Sequence, residues 1–191
     1  MKKELHDLAI KIFQCCAKNQ ISLDIQWIPW SDLERAAYKS RIVDMNDWQI
    51  TSSCFEYIEK LWGPHTVDCF ANYYNKKVEK FFSRFWNPNS SGVDFFVQNV
   101  ANENCLVVPP VTLITKAIHY LYASRAIGTV IVPFWPSAYY WPVISRKFRD
   151  YVTGYEAFKG KWALRHGRNT NSLLGSEAFD GDVLAIRMNF S

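Results

Sequence analysis

The sequence predicts an α/β domain built in three layers around a mostly parallel sheet, preceded by a small helix–strand–helix piece. Three observations carry this expectation. Residues 105–134 run as a short apolar strand, a segment of helical period and a second, β-branched strand. At that length the unit reads as a βαβ crossover, with parallel strands and a right-handed connection. On either side, helix-period and strand-period segments alternate instead of falling into blocks. Composition agrees: of 191 residues, 49% are hydrophobic and 21% charged, which allows a packed core and argues against global disorder.

The elements follow in order. Leu5, Leu8, Ala9, Ile12, Phe13 and Cys16 recur at steps of three and four, which predicts an amphipathic helix with Asn19 as its stop. Leu23, Ile25 and Trp27 alternate with Asp24 and Gln26 as in a half-buried strand ended by Pro29, and Ser31 with Glu34 has capping-box spacing for a short helix. Residues 42–50 read as a connector. Thr51 caps a second helix carrying Phe55, Ile58, Leu61 and Trp62, which Gly63-Pro64 stops. A buried strand is predicted over 66–71, and residues 81–86 suggest another. Residues 105–108 form a strand stopped by Pro109-Pro110. A helix is expected over 112–126, a strand over 129–134, a helix over 138–151, a polar glycine-containing loop over 153–181 and a closing strand over 182–190. The first 41 residues are too few for a core of their own, so the main domain is expected over 51–191.

Charge and rare residues narrow the function classes. The net charge of +4 tolerates nucleic acid, but a binding footprint requires cations gathered on one face. Lys76, Lys77 and Lys80 form one small group, and Arg146, Lys147 and Arg149 another; solvated helix faces explain both. The five cysteines are odd in number and lack CxxC spacing, so they read as reduced thiols of an intracellular protein. His6, His65, His119 and His166 show no metal-ligand spacing, and no metal site is expected. No signal-peptide pattern appears, and no apolar run approaches the roughly 18 residues of a membrane helix. The reading is of a soluble intracellular protein without a membrane partner, with no address separating cytoplasm from nucleus.

Two stretches carry a resemblance. Trp27-Ile-Pro-Trp-Ser-Asp-Leu-Glu-Arg-Ala-Ala-Tyr-Lys-Ser-Arg41 resembles the end of the RNase H domain of retroelement reverse transcriptases, where a strand ends in Trp-Ile-Pro-Arg and a helix carries Asn-x-x-Ala-Asp-x-x-Ser-Arg. From Asp47-Trp48 onward, the landmarks are Trp62-Gly-Pro-His-Thr-Val-Asp68, Phe70-Ala71, Asn75, Phe82-Ser-Arg-Phe-Trp-Asn-Pro88, Val107-Val-Pro-Pro110, Thr129-Val-Ile-Val-Pro-Phe-Trp-Pro-Ser137 and Val183-Leu-Ala-Ile-Arg187. Their order resembles the region after RNase H in DIRS-type, tyrosine-recombinase retrotransposons, which is similar in turn to phage Dam-type adenine-N6 methyltransferases. The resemblance implies a polyprotein fragment. Residues 1–41 would be an RNase H remnant, residues 42–50 a connector, and residues 51–191 a Rossmann-like, methyltransferase-type domain. Implied partners are DNA or RNA, and other parts of the polyprotein such as the reverse transcriptase and the tyrosine recombinase.

The chemistry that the resemblance implies is degraded in this chain. RNase H carboxylates hold two metal ions; the last of them falls on Ala37, whose methyl group binds no metal. The methyltransferase tetrad Asp/Asn-Pro-Pro-aromatic accepts hydrogen bonds from the target amine and stacks on a flipped base. Here it reads Val108-Pro109-Pro110-Val111, which has neither acceptor nor ring. On the cofactor side no glycine-rich turn follows residues 67–71. Asp68, with Ala71 and Asn75, is either a relic of a cofactor pocket or a strand-end polar group, and Asn75 equally suits a turn.

Candidate nucleic-acid contacts are Lys76 and Lys77, the rings of Trp135, Tyr139 and Tyr140, and Lys161, Arg165 and Arg168 in the glycine-containing stretch. Core packing is the default for the rings and a surface loop for the cations. The expectation is a non-catalytic nucleic-acid-binding or scaffolding module without a cofactor. The alternatives are a divergent S-adenosylmethionine-dependent adenine-N6 methyltransferase using Asp68, and a host-adopted protein-interaction module.

Overall fold

The computed structural model describes residues 2–24, 48–85, 87, 89–166 and 172–191. The expected strand and helix of residues 25–41, with Ala37, lie outside the described residues, as does Arg168. The chain divides into two compact units, Met1–Ile42 and Val43–Ser191.

The described part of the first unit is α1 (Lys2–Lys18) and a short non-helical segment through residue 24. Its stop is where the sequence places it. The Asn19 side chain donates from Nδ2 to the Cys15 carbonyl at 2.7 Å, its backbone N–H donates to the same oxygen at 3.1 Å, and Gln20 turns the chain with φ 55°.

The second unit opens with β1 (Trp48–Ile50), the end of the stretch read as a connector. Helix α2 (Ser52–Trp62) follows, with the Thr51 hydroxyl accepting from the Cys54 N–H at 3.1 Å as its cap. Then come β2 (Val67–Asp68), β3 (Phe82–Ser83), β4 (Gly92–Val93) and β5 (Asn104–Val107). Helix α3 (Ile114–Ala123) leads to β6 (Ile127–Pro133). Where a regular helix is predicted over 138–151, the chain forms a π-helical turn, Val143–Lys147, and a 3-10 turn, Arg149–Tyr151. The segment read as a loop is largely regular: β7 (Val152–Lys159), the single turn α4 (Gly160–Ala163) and β8 (Leu164–His166). The chain ends in β9 (Asp182–Asn189).

The main sheet has five strands in the order β2-β5-β6-β9-β7. The α/β class is as predicted, and β5 and β6 pair in parallel across α3. The sheet, however, is mixed rather than mostly parallel. β2–β5 and β5–β6 are parallel pairings, while β6–β9 and β9–β7 are antiparallel. The cause is where the chain turns back. Lys159 at the end of β7 sits opposite Asp182 at the start of β9, and the two side chains form an ion pair at 2.7 Å. Strands entered and left at one end must run antiparallel. Two small sheets flank this one, β1 with β8 antiparallel and β3 with β4 parallel.

Both faces of the main sheet are covered, as its apolar strands require. Cys105 and Val107 of β5 join Val130 and Val132 of β6 in a core with Ile114, Ile118 and Leu121 of α3. The intervening Leu106 and Ile131 join Ile50, Cys54 and Ile58 on the other face. At about 25 cal/mol per Å² of apolar area, each fully buried Leu or Ile contributes roughly 1.5–3 kcal/mol.

Candidate functional site

The carboxyl ends of neighbouring parallel strands are where an open α/β sheet offers a crevice. Here β2 and β5 lie side by side, with Asp68 opposite Leu106, and the Cys69 N–H donates to the Leu106 carbonyl at 2.9 Å. A shallow cleft lies at this end. Asp68, Ala71, Asn75, Lys77 and Val108 line it, with Trp48 from β1. The fold therefore brings together the three residues predicted for a cofactor, one of the predicted nucleic-acid lysines and the first residue of the double-proline tetrad. Its interior has room for about one water molecule.

Asp68 is 3% exposed and sits against the backbone of the following loop. Its Oδ2 accepts the Lys77 N–H at 3.0 Å. Burial raises its pKa to about 6, against the pull of the Lys77 and Phe70 backbone N–H groups and of the Lys77 ammonium. Burial likewise lowers the pKa of Lys77, which Asp68 and then Cys54 counteract. The carboxylate thus closes the loop over residues 69–77.

Asn75 acts within the same loop. Its Oδ1 accepts the Asn72 N–H at 2.7 Å, while Asn72 Oδ1 accepts the N–H groups of Tyr74 and Asn75. That is a reciprocal turn closure of the kind asparagine favours. Ala71 is buried, and its N–H donates to the Phe82 carbonyl at 3.1 Å.

Across the cleft, Val108 presents an isopropyl group at 9% exposure. Pro109 is buried and Pro110 half-buried. Val111 begins the 3-10 turn into α3 and packs against both cores. No side chain of the tetrad can accept a hydrogen bond or stack as a ring.

The remaining predicted contacts are dispersed. Tyr140 is fully buried, its hydroxyl donating to the Pro133 carbonyl at 2.7 Å, and burial raises its pKa. Tyr139 is 58% exposed, but its hydroxyl donates to the Val111 carbonyl at 2.8 Å. Trp135 is half-buried against both cores. Lys76 pairs with Glu79 at 2.7 Å and Lys161 with Asp180 at 3.2 Å, while Arg165 donates to the carbonyls of Lys161 and Leu164.

One polar cluster has no counterpart in the sequence reading. At the amino end of β6 the buried His65 places Nδ1 2.5 Å from Glu59 Oε2 and Nε2 2.9 Å from Thr129 Oγ1. Arg187 reaches Thr129 at 3.3 Å and Asn104 Oδ1 at 2.5 Å; Asn104 Nδ2 donates to the carbonyls of Trp62 and Pro64. Burial lowers the pKa of His65, against the hydrogen bond and charge of Glu59. A hydroxyl, an imidazole and a carboxylate in line suggest a nucleophile triad. Thr129 is fully buried inside the sheet, however, so no substrate reaches it, and the cluster ties α2 to β5, β6 and β9. The only signal in the sequence is three polar residues inside apolar strands; that Thr129 faces Arg187 follows from register alone.

Among the described residues no His, Cys, Asp and Glu group is placed to hold a metal ion, and no helix is long and apolar enough to cross a membrane. In comparisons with known proteins, no family model matches the chain and no curated protein is significantly similar to it.

Proposed function

We propose that the chain is a fragment of a DIRS-type retrotransposon polyprotein, an RNase H remnant followed by a Rossmann-like, methyltransferase-type domain that no longer catalyses. Its remaining role on this reading is to contact nucleic acid or to scaffold neighbouring parts of the polyprotein. Support for the descent comes from the order of the sequence landmarks and from the fact that Asp68 and Val108, at the ends of the adjacent parallel strands β2 and β5, line one cleft.

The observation that carries the loss of activity is the chemistry of that cleft. Val108 stands where the methyltransferase pattern needs an acceptor for the target amine, and removing such a group costs orders of magnitude in rate. The residues present do not fit S-adenosylmethionine either. The Asp68 carboxylate holds backbone N–H groups of its own loop, Asn75 closes a turn, and the interior takes about one water molecule where a cofactor site spans hundreds of Å³.

Titration calorimetry of the chain with millimolar S-adenosylmethionine should give no heat beyond dilution. Incubation with an RNA–DNA hybrid and Mg²⁺ should leave the RNA intact. Saturable cofactor binding, or transfer of a labelled methyl group to adenine, would restore the methyltransferase reading in place of this one.

A further inference from the structure

A second surface, remote in sequence from the cleft, has the composition of a single-strand platform. Tyr122 near the end of α3 is 46% exposed, and Tyr151, the last residue of the 3-10 turn before β7, is 36% exposed. Their rings meet at 5.6 Å, and both rest on a buried base. Tyr122 lies 5.0 Å from Phe148 and 5.7 Å from Phe190, and Tyr151 lies 5.1 Å from Phe190. Phe148 and Phe190 are 2% and 5% exposed, so the platform is fixed before anything binds.

Four cations lie within five residues of these rings along the chain. Arg125 follows Tyr122 by three residues, its N–H donating to the Tyr122 carbonyl. Arg146, Lys147 and Arg149 project from the turns that carry Phe148, and all four are exposed. Lys147 is held in place: its Nζ lies 2.8 Å from His119 Nε2, while His119 Nδ1 faces the Thr115 carbonyl at 2.8 Å. Nδ1 therefore donates, and Nε2 accepts from the ammonium. None of the four cations forms an ion pair among the described residues. Asp150 is the one side-chain carboxylate in the two segments, 119–126 and 143–151, that build this face. Of the nucleic-acid contacts predicted from the sequence, Tyr140 is buried, Lys161 is paired and Arg165 is bonded to carbonyls.

We infer that the face formed by Tyr122, Tyr151, Arg125, Arg146, Lys147 and Arg149 binds single-stranded nucleic acid, the rings stacking on unpaired bases and the cations tracking the phosphates. This rests on the nucleic-acid half of the reading above and names its surface. A duplex hides its base faces, so exposed rings at this spacing favour a single strand.

The test is fluorescence anisotropy of labelled oligo-dT and oligo-rU strands titrated with the full chain at several salt concentrations; the two strands separate DNA from RNA preference. The double variant Arg146→Ala/Arg149→Ala should weaken binding at least ten-fold at low salt. It should also flatten the log–log salt slope by about 1.4, from two lost phosphate contacts. Tyr122→Leu keeps the contact with Phe148 but removes the flat ring; it should weaken binding about ten-fold with the slope unchanged. Lys161→Ala/Arg165→Ala should bind as the parent does, and circular dichroism should show every variant folded.

Binding that survives both surface variants overturns this assignment and leaves the nucleic-acid role standing elsewhere. Absence of binding by the parent chain overturns both. Equal affinity for duplex, or equal competition by polyglutamate, marks a general polyanion surface and also overturns the assignment.

Discussion

At the scale of single residues, Asp68 is a structural part of its loop. A carboxyl group held in a dry strand end binds its proton more tightly folded than unfolded, with a folded pKa of about 6 against an ordinary 3.8. The sign follows from proton linkage: between those values the folded state carries more protons, so stability falls as pH rises from about 4 to about 6 and is level above. The loss is on the order of 3 kcal/mol if the whole shift is expressed. His65 acts in the opposite sense. It is kept neutral by burial, so its contribution grows as pH rises toward 6.5. Asp68→Asn keeps an acceptor for the Lys77 N–H but has no charge to bury. Its stability relative to the parent should therefore improve by up to a few kcal/mol between pH 4 and pH 7 in urea titrations. A difference independent of pH would mean that Asp68 is solvated and free for a ligand.

At the scale of elements, the polar chain from Glu59 to Arg187 sets the position of α2 against the sheet. Each member is hydrogen-bonded, so removing one leaves its partners buried and unsatisfied, at about 1–3 kcal/mol for each such group. His65→Phe should cost about 3 kcal/mol or more, and Thr129→Val about 2 kcal/mol, since it strips a donor from His65 Nε2 and an acceptor from Arg187. The double variant should cost less than the two losses added, which a double-mutant cycle by thermal or urea unfolding measures. Strict additivity would show the two side chains uncoupled. This cluster also marks a limit of legibility. Helix caps at Thr51 and Asn19, the strand-ending double proline and the parallel β5–β6 pair were readable, because each depends on local chemistry or on period. β7 was not. Its residues alternate between half-buried and exposed at the sheet edge, so polar Thr153, Glu156 and Lys159 resemble a loop. The antiparallel course of β9 was hidden for a related reason: direction is set by where Lys159 meets Asp182, a contact with no signature in either segment. The cleft was half legible. Asp68 and Val108 could be named from the sequence, but that Asn75 and Lys77 close over Asp68 depends on a loop whose path only the fold defines.

For the whole molecule, the question is what the second unit needs in order to fold. Among the described residues, both hydrophobic cores draw on residues from Trp48 onward, and the five strands of the main sheet lie between Val67 and Asn189. A domain of this size has enough buried apolar surface to fold alone. Residues 43–191 expressed by themselves should therefore unfold in one cooperative transition, within a few degrees of the corresponding transition of the full chain, as read by scanning calorimetry and near-ultraviolet circular dichroism. The truncated protein should also keep the single-strand binding assigned to the Tyr122–Tyr151 face, because every residue of that face belongs to this unit. A truncated chain with native far-ultraviolet signal but no near-ultraviolet signal and no cooperative melt would be a molten globule. In that case the first 42 residues would be part of the domain rather than a remnant carried beside it.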